Sequence, residues 1–173
     1  MKYSMNIPNK ITIIRILFIP IFVILLFVKV RHIEYIAALV FIVLALTDAL
    51  DGYIARKRKE VTRLGKLIDP LADKLLISAA LIFLIGRGVP AWMAFVIIAR
   101  EFFVTGLRLV VSTKDMTVAA SKLGKIKTIS QMAAIVAVII NLPYSWHMML
   151  AAVILTLISG ADYFIKVRKF LKE

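Results

Sequence analysis

Four aspartates within one short stretch are the residues of this chain whose types and spacing best suit chemistry. Asp48 and Asp51 lie three residues apart, and Asp69 and Asp73 lie four apart. On a helix, either spacing places both carboxylates of a pair on one face. A helical hairpin that turns near residues 57–63 would therefore bring the two pairs together.

In apolar surroundings, four clustered aspartates require positive charge between them. Long apolar runs flank the stretch on both sides. One acid inside a membrane costs about 2.5–3.5 kcal/mol, so four unpaired acids would cost roughly 10 kcal/mol. Divalent cations with oxygen ligands would offset this cost, and two-metal sites typically serve phosphoryl transfer. The alternative is a solvated acidic turn whose aspartates pair with the basic residues Lys57, Arg58, Lys59 and Arg63.

Composition places the chain in a membrane. The hydrophobic fraction is 62% and the mean hydropathy is +0.94, which is too high for a soluble globular protein. The formal net charge is +13, but the basic residues stand at the ends of apolar runs, which suits anionic lipid headgroups. No nucleic-acid motif accompanies them, so we expect no nucleic-acid partner. The chain has no cysteine, which excludes disulfides and thiol catalysis.

Six apolar runs predict an all-α fold with six transmembrane helices, in a single domain of residues 1–173. The runs cover approximately residues 11–30, 35–57, 70–85, 91–112, 126–140 and 144–165. Met1–Asn9 would form a short juxtamembrane segment. Arg15 interrupts the first run and no A-x-A cleavage site follows it, which favours a retained span over a signal peptide. Because proline is tolerated in a helix's first turn, we expect Pro70 early in the third span, with Asp69 as its cap.

The distribution of basic residues predicts the orientation. Lysine and arginine concentrate in the turn after residue 57, in the stretch 114–127 and in the tail 166–172, whereas the alternate turns hold few. By the positive-inside rule, these segments and both termini face the cytoplasm. We therefore expect a multi-pass protein of the cell membrane, surrounded by membrane lipids, whose aspartate stretch faces the cytoplasm.

The longer pattern around the aspartates reads D-x2-D-G-x2-A-R-x8-G-x3-D-x3-D. It resembles the signature of the CDP-alcohol phosphatidyltransferases, with every position filled. The resemblance implies that CDP-diacylglycerol donates its phosphatidyl group to an alcohol and that CMP leaves. We expect Asp48, Asp51 and Asp69 to bind two divalent cations, magnesium or manganese, which would offset the diphosphate charge. Asp73 would be a ligand, the general base or both, and the resemblance favours the base. The resemblance also implies a homodimer.

Small residues and a cation next to the aspartates are candidate contacts for the CDP group. Gly52 and Ala55 lack bulk on the face that carries Asp51, and Gly65 would allow a close approach from the second helix. Arg56 could pair with a phosphate. The alternatives are helix packing through the small side chain of Ala55 and a snorkelling interfacial cation at Arg56.

The start of the first span carries a third polar group. Asn9, Thr12 and Arg15 recur every three residues and share one helix face. The resemblance places this face beside the nucleotide, which makes Asn9 and Thr12 candidate CDP contacts. The alternative is that Asn9 caps the helix and Arg15 has a structural partner.

Three further stretches resemble the branch of the family whose acceptor is glycerol 3-phosphate: NIPNKIT at 6–12, REFFVTGLR at 100–108 and GKIKTISQ at 124–131. A phosphate monoester requires a cationic pocket. The candidate residues are Arg100, Thr105, Arg108 and Lys125. Arg108 and Lys125 would lie near cytoplasmic span ends, whereas Arg100 lies deeper and could pair with a buried acid instead.

Other roles for nearby cations and other functions also fit parts of this pattern. Lys122 and Lys127 suit lipid headgroups equally well, and Asp162 and Lys166 are spaced for a plain ion pair. Serine, inositol phosphate or phosphatidylglycerol could replace glycerol 3-phosphate as the acceptor. A small ion-coupled transporter is less consistent with the pattern, because its acids should recur along a pathway or in duplicated halves.

Overall fold

The computed structural model describes residues 7–58, 63–112 and 122–171, with side chains over 12–47, 71–72, 74–109, 111 and 123–168. Within these ranges the chain forms six helices and no strand, which confirms the predicted all-α fold. The helices are α1 (Ile7–Phe27), α2 (Ile33–Arg58), α3 (Arg63–Phe83), α4 (Ala91–Ser112), α5 (Lys122–Ile139) and α6 (Ser145–Leu171).

The predicted start of the third span is wrong. Helix α3 begins at Arg63 and continues through Pro70, so Asp69 lies inside the helix and does not cap it. Helix α1 likewise contains Pro20 in its interior. Proline is tolerated within apolar helices of this kind because neighbouring helices and local adjustments can satisfy the backbone groups that it frees.

Internal contacts divide the chain into two compact units, and residues 1–83 form the first. Helix α1 packs against both α2 and α3, and α2 also packs against α3. The rings of Phe22 and Phe41, both fully buried, meet at a centroid distance of 5.5 Å. Ala37 and Ala72 are also buried, and such small residues let apolar helices approach closely. The first unit therefore places the two helices of the aspartate motif side by side.

Residues 84–173 form the second unit, in which α6 packs against both α4 and α5. A tight turn at residues 84–90 precedes α4. Gly86 and Gly88 have φ angles of 78° and 114°, which favour glycine. A Cβ atom at Gly88 would also lie 3.2 Å from Cγ1 of Val138, so this turn sits directly against α5.

Large apolar side chains point outward from both units, as Leu17, Phe95 and Ile129 illustrate. Exposed apolar side chains in such number suit contact with lipid. By length and composition, the described residues contain one helical segment able to cross a membrane, Ser145–Arg168. The apolar segments Thr12–Phe27, Ile33–Thr47 and Lys74–Phe83 are shorter. These features fit a membrane protein, and the count of six spans stays a prediction.

Candidate active site

The four aspartates lie on two helices that pack against each other. Asp48 and Asp51 belong to the second half of α2, and Asp69 and Asp73 belong to α3. Their side chains lie outside the described ones, as do those of the candidate CDP contacts Asn9, Gly52, Ala55, Arg56 and Gly65. Four hard carboxylate donors on adjacent helices suit a divalent cation that prefers oxygen ligands. The assignment of these residues as ligands stays a prediction.

A buried arginine stands next to this stretch. Arg15 on α1 is 1% exposed, and its Nε donates a hydrogen bond to Oγ1 of Thr47 at 3.4 Å. The Thr47 hydroxyl donates in turn to the carbonyl oxygen of Leu44 at 2.7 Å. Since Thr47 directly precedes Asp48, Arg15 holds the chain where the motif begins. This contact agrees with a structural partner for Arg15, while the role of the neighbouring Thr12, which is fully buried, stays a prediction.

A second group of buried charges lies in the other unit. Glu101 on α4 is 4% exposed, and its Oε1 accepts from Nζ of Lys127 on α5 at 2.5 Å. The same oxygen accepts from Nη1 of Arg100 at 3.2 Å. Nη2 of Arg100 donates to Oγ of Ser159 on α6 at 2.9 Å. The Glu101 carboxylate thus joins α4 to α5, and Arg100 joins α4 to α6.

Neutral side chains extend this group. Nε2 of Gln131 donates to Oγ1 of Thr156 at 2.7 Å and lies 3.5 Å from Oε1 of Glu101. The Thr156 hydroxyl donates to the carbonyl oxygen of Ala152 at 2.6 Å. Buried polar groups cost free energy unless they are hydrogen-bonded, and each side chain here has a partner. We call Arg100, Glu101, Lys127, Gln131, Thr156 and Ser159 the buried network.

The buried network corrects one expectation and settles another. Lys127 is 4% exposed and ion-paired, so the suggestion that it contacts lipid headgroups is wrong. Only the charge of Lys127 is visible in the sequence, and the partner that buries it lies on another helix. Arg100 does pair with a buried acid, as one alternative held, and that acid is its own neighbour Glu101.

The other candidate acceptor residues lie at the helix ends. Arg108 is exposed, and its Cζ lies 5.8 Å from the ring centroid of Tyr163. Thr105 is half-buried and Lys125 is exposed. In the described part of the chain, no hydrogen bond or ion pair joins Arg100, Arg108 and Lys125 to one another. The predicted ion pair between Asp162 and Lys166 is present at 2.7 Å.

Comparison with known proteins agrees with the motif. The family model described as CDP-alcohol phosphatidyltransferase matches residues 5–158. The chain belongs to the CDP-alcohol phosphatidyltransferase family. Members of this family are membrane-associated and generally use divalent metals.

Relatives of this phosphatidyltransferase have similar lengths. A CDP-diacylglycerol–glycerol-3-phosphate 3-phosphatidyltransferase of Bacillus subtilis (strain 168) is 45% identical over 184 residues, covering 93% of this chain and 94% of the relative. A protein with the same name from Rickettsia felis is 37% identical, with 98% and 99% covered. One from Escherichia coli (strain K12) is 38% identical, with 75% and 74% covered. The resemblance inferred from the motif is thus confirmed.

Sequence reasoning missed Glu101 and Gln131 as members of a polar group. One signal was available, because Glu101 is an acid within an otherwise apolar helix, and such residues are rarely without a partner. Gln131 gave no comparable signal, since its donors meet Thr156 only when α5 and α6 are packed together.

Proposed function

We propose that this phosphatidyltransferase transfers the phosphatidyl group of CDP-diacylglycerol to glycerol 3-phosphate, releasing CMP and forming phosphatidylglycerophosphate. The observation that carries the proposal is near full-length similarity to relatives named for this reaction, at 45% identity with 93% and 94% of the two chains covered. The filled aspartate pattern supports the reaction class, and the cations of α4 and α5 support an acceptor that bears a phosphate.

The reaction is a displacement at phosphorus. A hydroxyl oxygen of the acceptor bonds to the phosphorus that carries diacylglycerol, and the bond from this phosphorus to the bridging oxygen breaks. CMP leaves with that oxygen, and the hydroxyl proton passes to a carboxylate within hydrogen-bond reach. We assign Asp73 as this base. Its position on α3, one turn after Asp69, places it on the helix face of a proposed metal ligand.

The donor diphosphate needs positive charge. Asp48, Asp51 and Asp69, with Asp73 as a further candidate, would hold two divalent cations, magnesium or manganese. When bound, such ions supply charge neutralisation for the diphosphate and the leaving phosphate. The CDP group would contact the residues around this motif, namely Asn9, Thr12, Gly52, Ala55, Arg56 and Gly65.

The acceptor phosphate would bind to Arg100, Thr105, Arg108 and Lys125. Arg108 and Lys125 are exposed, as cations that meet a water-soluble substrate must be. A guanidinium has five N–H donors, and Arg100 uses one on Glu101 and one on Ser159 in the described part of the chain. Arg100 therefore keeps donors for a phosphate while its side chain is held in place.

The remaining features of the proposal concern the setting. The protein would cross the cell membrane six times as a single domain of residues 1–173, with the aspartates facing the cytoplasm, and would form a homodimer. The basic residues after α2 and in the tail support this orientation, because cytoplasmic segments are enriched in lysine and arginine. Cytoplasmic access also suits glycerol 3-phosphate and CMP, which are water-soluble and charged.

CMP release tests the function directly. Purified protein receives CDP-diacylglycerol with one acceptor at a time: glycerol 3-phosphate, serine, inositol phosphate or phosphatidylglycerol. We expect CMP only with glycerol 3-phosphate. CMP release with another acceptor, and none with glycerol 3-phosphate, would exclude the proposed reaction but keep the family chemistry. Ion flux in reconstituted vesicles without any CMP release would favour a transporter.

A further inference from the structure

The buried network contains one carboxylate for two cations from different helices. Oε1 of Glu101 accepts from both Arg100 and Lys127; the side chains of Glu101 and Lys127 are 4% and 5% exposed, and that of Arg100 is 12% exposed. Removing one member of a buried ion pair leaves an uncompensated charge and is strongly destabilising, whereas well-packed apolar residues of similar volume would often be as stable as the pair. Stability alone is therefore a weak explanation for this arrangement.

The carboxylate acts on the side chains that we assign to the acceptor. Arg100 is an acceptor candidate, and Glu101 and Ser159 each fix one of its terminal nitrogens. Lys127 lies two residues after Lys125 on α5, so its ion pair connects the first turns of that helix to Glu101 on α4. We propose that Glu101 is a positioning residue of the acceptor site, which holds Arg100 and the start of α5 where glycerol 3-phosphate binds. This inference rests on the proposed function.

The packing of α6 supports this role. A Cβ atom at Gly160 would lie 3.2 Å from both Cγ and Nε of Arg100, so glycine leaves the space that the arginine stem occupies. Nε of Arg100 is buried and has no partner in the part of the chain that the structure describes. Among the described residues, Glu101 and Ser159 hold the guanidinium through its two terminal nitrogens and so set its orientation.

Two variants separate positioning from folding. Glu101→Gln keeps the shape of the side chain and removes its charge. The double variant Glu101→Gln with Lys127→Met also removes the lysine charge that faces Glu101. We expect Glu101→Gln to be less thermostable and to raise the KM for glycerol 3-phosphate by about tenfold to a hundredfold, because small displacements of binding groups have effects of this size. The KM for CDP-diacylglycerol should change little.

The stability and the KM of the double variant decide between a positioning role and a purely structural role for Glu101. We expect the thermostability of this variant to return part of the way toward the wild-type value, because the buried lysine charge that lost its carboxylate is gone. Its KM for glycerol 3-phosphate should stay high, because Arg100 still lacks a charged anchor. Recovery of KM together with stability would overturn the proposal and leave a purely structural ion pair. So would failure of the double variant to accumulate as folded protein, or an equal rise in the KM of both substrates.

Asp162→Asn is the matched control, since it neutralises one acid on α6 whose partner Lys166 is 48% exposed. It should leave both KM values and the thermostability close to wild type. The acceptor used by the wild-type protein separates the proposed function from the proposed role of Glu101. If the wild type released CMP only with another acceptor, the proposed function would fail, and the same variants would be assayed with that acceptor. An unchanged KM for that acceptor in the variants would then overturn the role of Glu101 as well.

Discussion

A buried hydroxyl in the second unit predicts that one core substitution raises the stability of the protein. Tyr163 on α6 is 6% exposed and packs with Val104, Val111 and Val167. Its hydroxyl is fully buried and has no hydrogen-bond partner in the described part of the chain. Most substitutions in a core destabilise a protein, but Tyr163→Phe removes only this hydroxyl. We therefore expect the variant to be more stable than the wild type.

The magnitude follows from the cost of an unsatisfied polar group. A buried donor without a partner costs about 1–3 kcal/mol, and phenylalanine fills nearly the same volume without that cost. For a chain of this length, 1 kcal/mol shifts Tm by about 2–4 °C. We expect Tyr163→Phe to raise Tm by a few degrees. The aromatic ring remains under Arg108, so the kinetic constants should stay close to wild type.

Thermal unfolding in detergent, followed by a probe that does not depend on activity, measures this effect. Tyr144→Phe is the control, because Tyr144 is 76% exposed and its hydroxyl can bond to water or to lipid headgroups. A lower Tm for Tyr163→Phe than for this control would refute the reasoning, since it would mean that the Tyr163 hydroxyl has a stabilising partner. A raised KM for glycerol 3-phosphate would mean that the partner is the acceptor.

The remaining predictions concern the reaction. Exhaustive chelation should abolish CMP release and added magnesium or manganese should restore it; full turnover after chelation would remove the metal from the proposal. Asp73→Asn should nearly abolish turnover while CDP-lipid binding remains detectable, whereas Asp51→Ala should weaken metal and donor binding together; equal loss of binding in both would remove the separate base. Arg108→Ala and Lys125→Ala should each raise the KM for glycerol 3-phosphate about tenfold to a hundredfold, because a hydrogen bond to a charged group contributes about 1.5–3 kcal/mol. An unchanged KM for glycerol 3-phosphate in both variants would show that these two cations do not bind the acceptor.

Helix positions were largely predictable from the sequence, because apolar runs and the turns between them are local features. The predicted fourth span and helix α4 have the same bounds, Ala91–Ser112. Pro70 was misplaced because a rule for isolated helices was applied to one that packs between neighbours. The reaction class of the family was also predictable from the sequence, because the aspartate pattern lies within one short stretch that forms parts of two consecutive helices.

The partners of the buried cations were harder to predict from the sequence. Lys127 and Glu101 are 26 residues apart in sequence, and spacing along one helix gives no information about which side chain of another helix it meets. Arg15 was recognised as an interruption of an apolar run, but its partner Thr47 lies 32 residues away. In both cases the sequence predicts that a buried charge needs a partner, and only helix packing identifies that partner.

Two buried charged side chains, Arg15 in the first unit and Glu101 in the second, stand beside different parts of the proposed reaction. Arg15 bonds to Thr47 immediately before the aspartates that we assign to the donor, and Glu101 bonds to Arg100, which we assign to the acceptor. Apolar helices could pack without either contact, and at lower cost in desolvation. What an apolar side chain cannot do is fix the direction of a neighbouring charged or hydrogen-bonding group. We infer that Arg15 and Glu101 orient the substrate-binding residues beside them, so substituting either should alter substrate affinity in addition to any loss of stability.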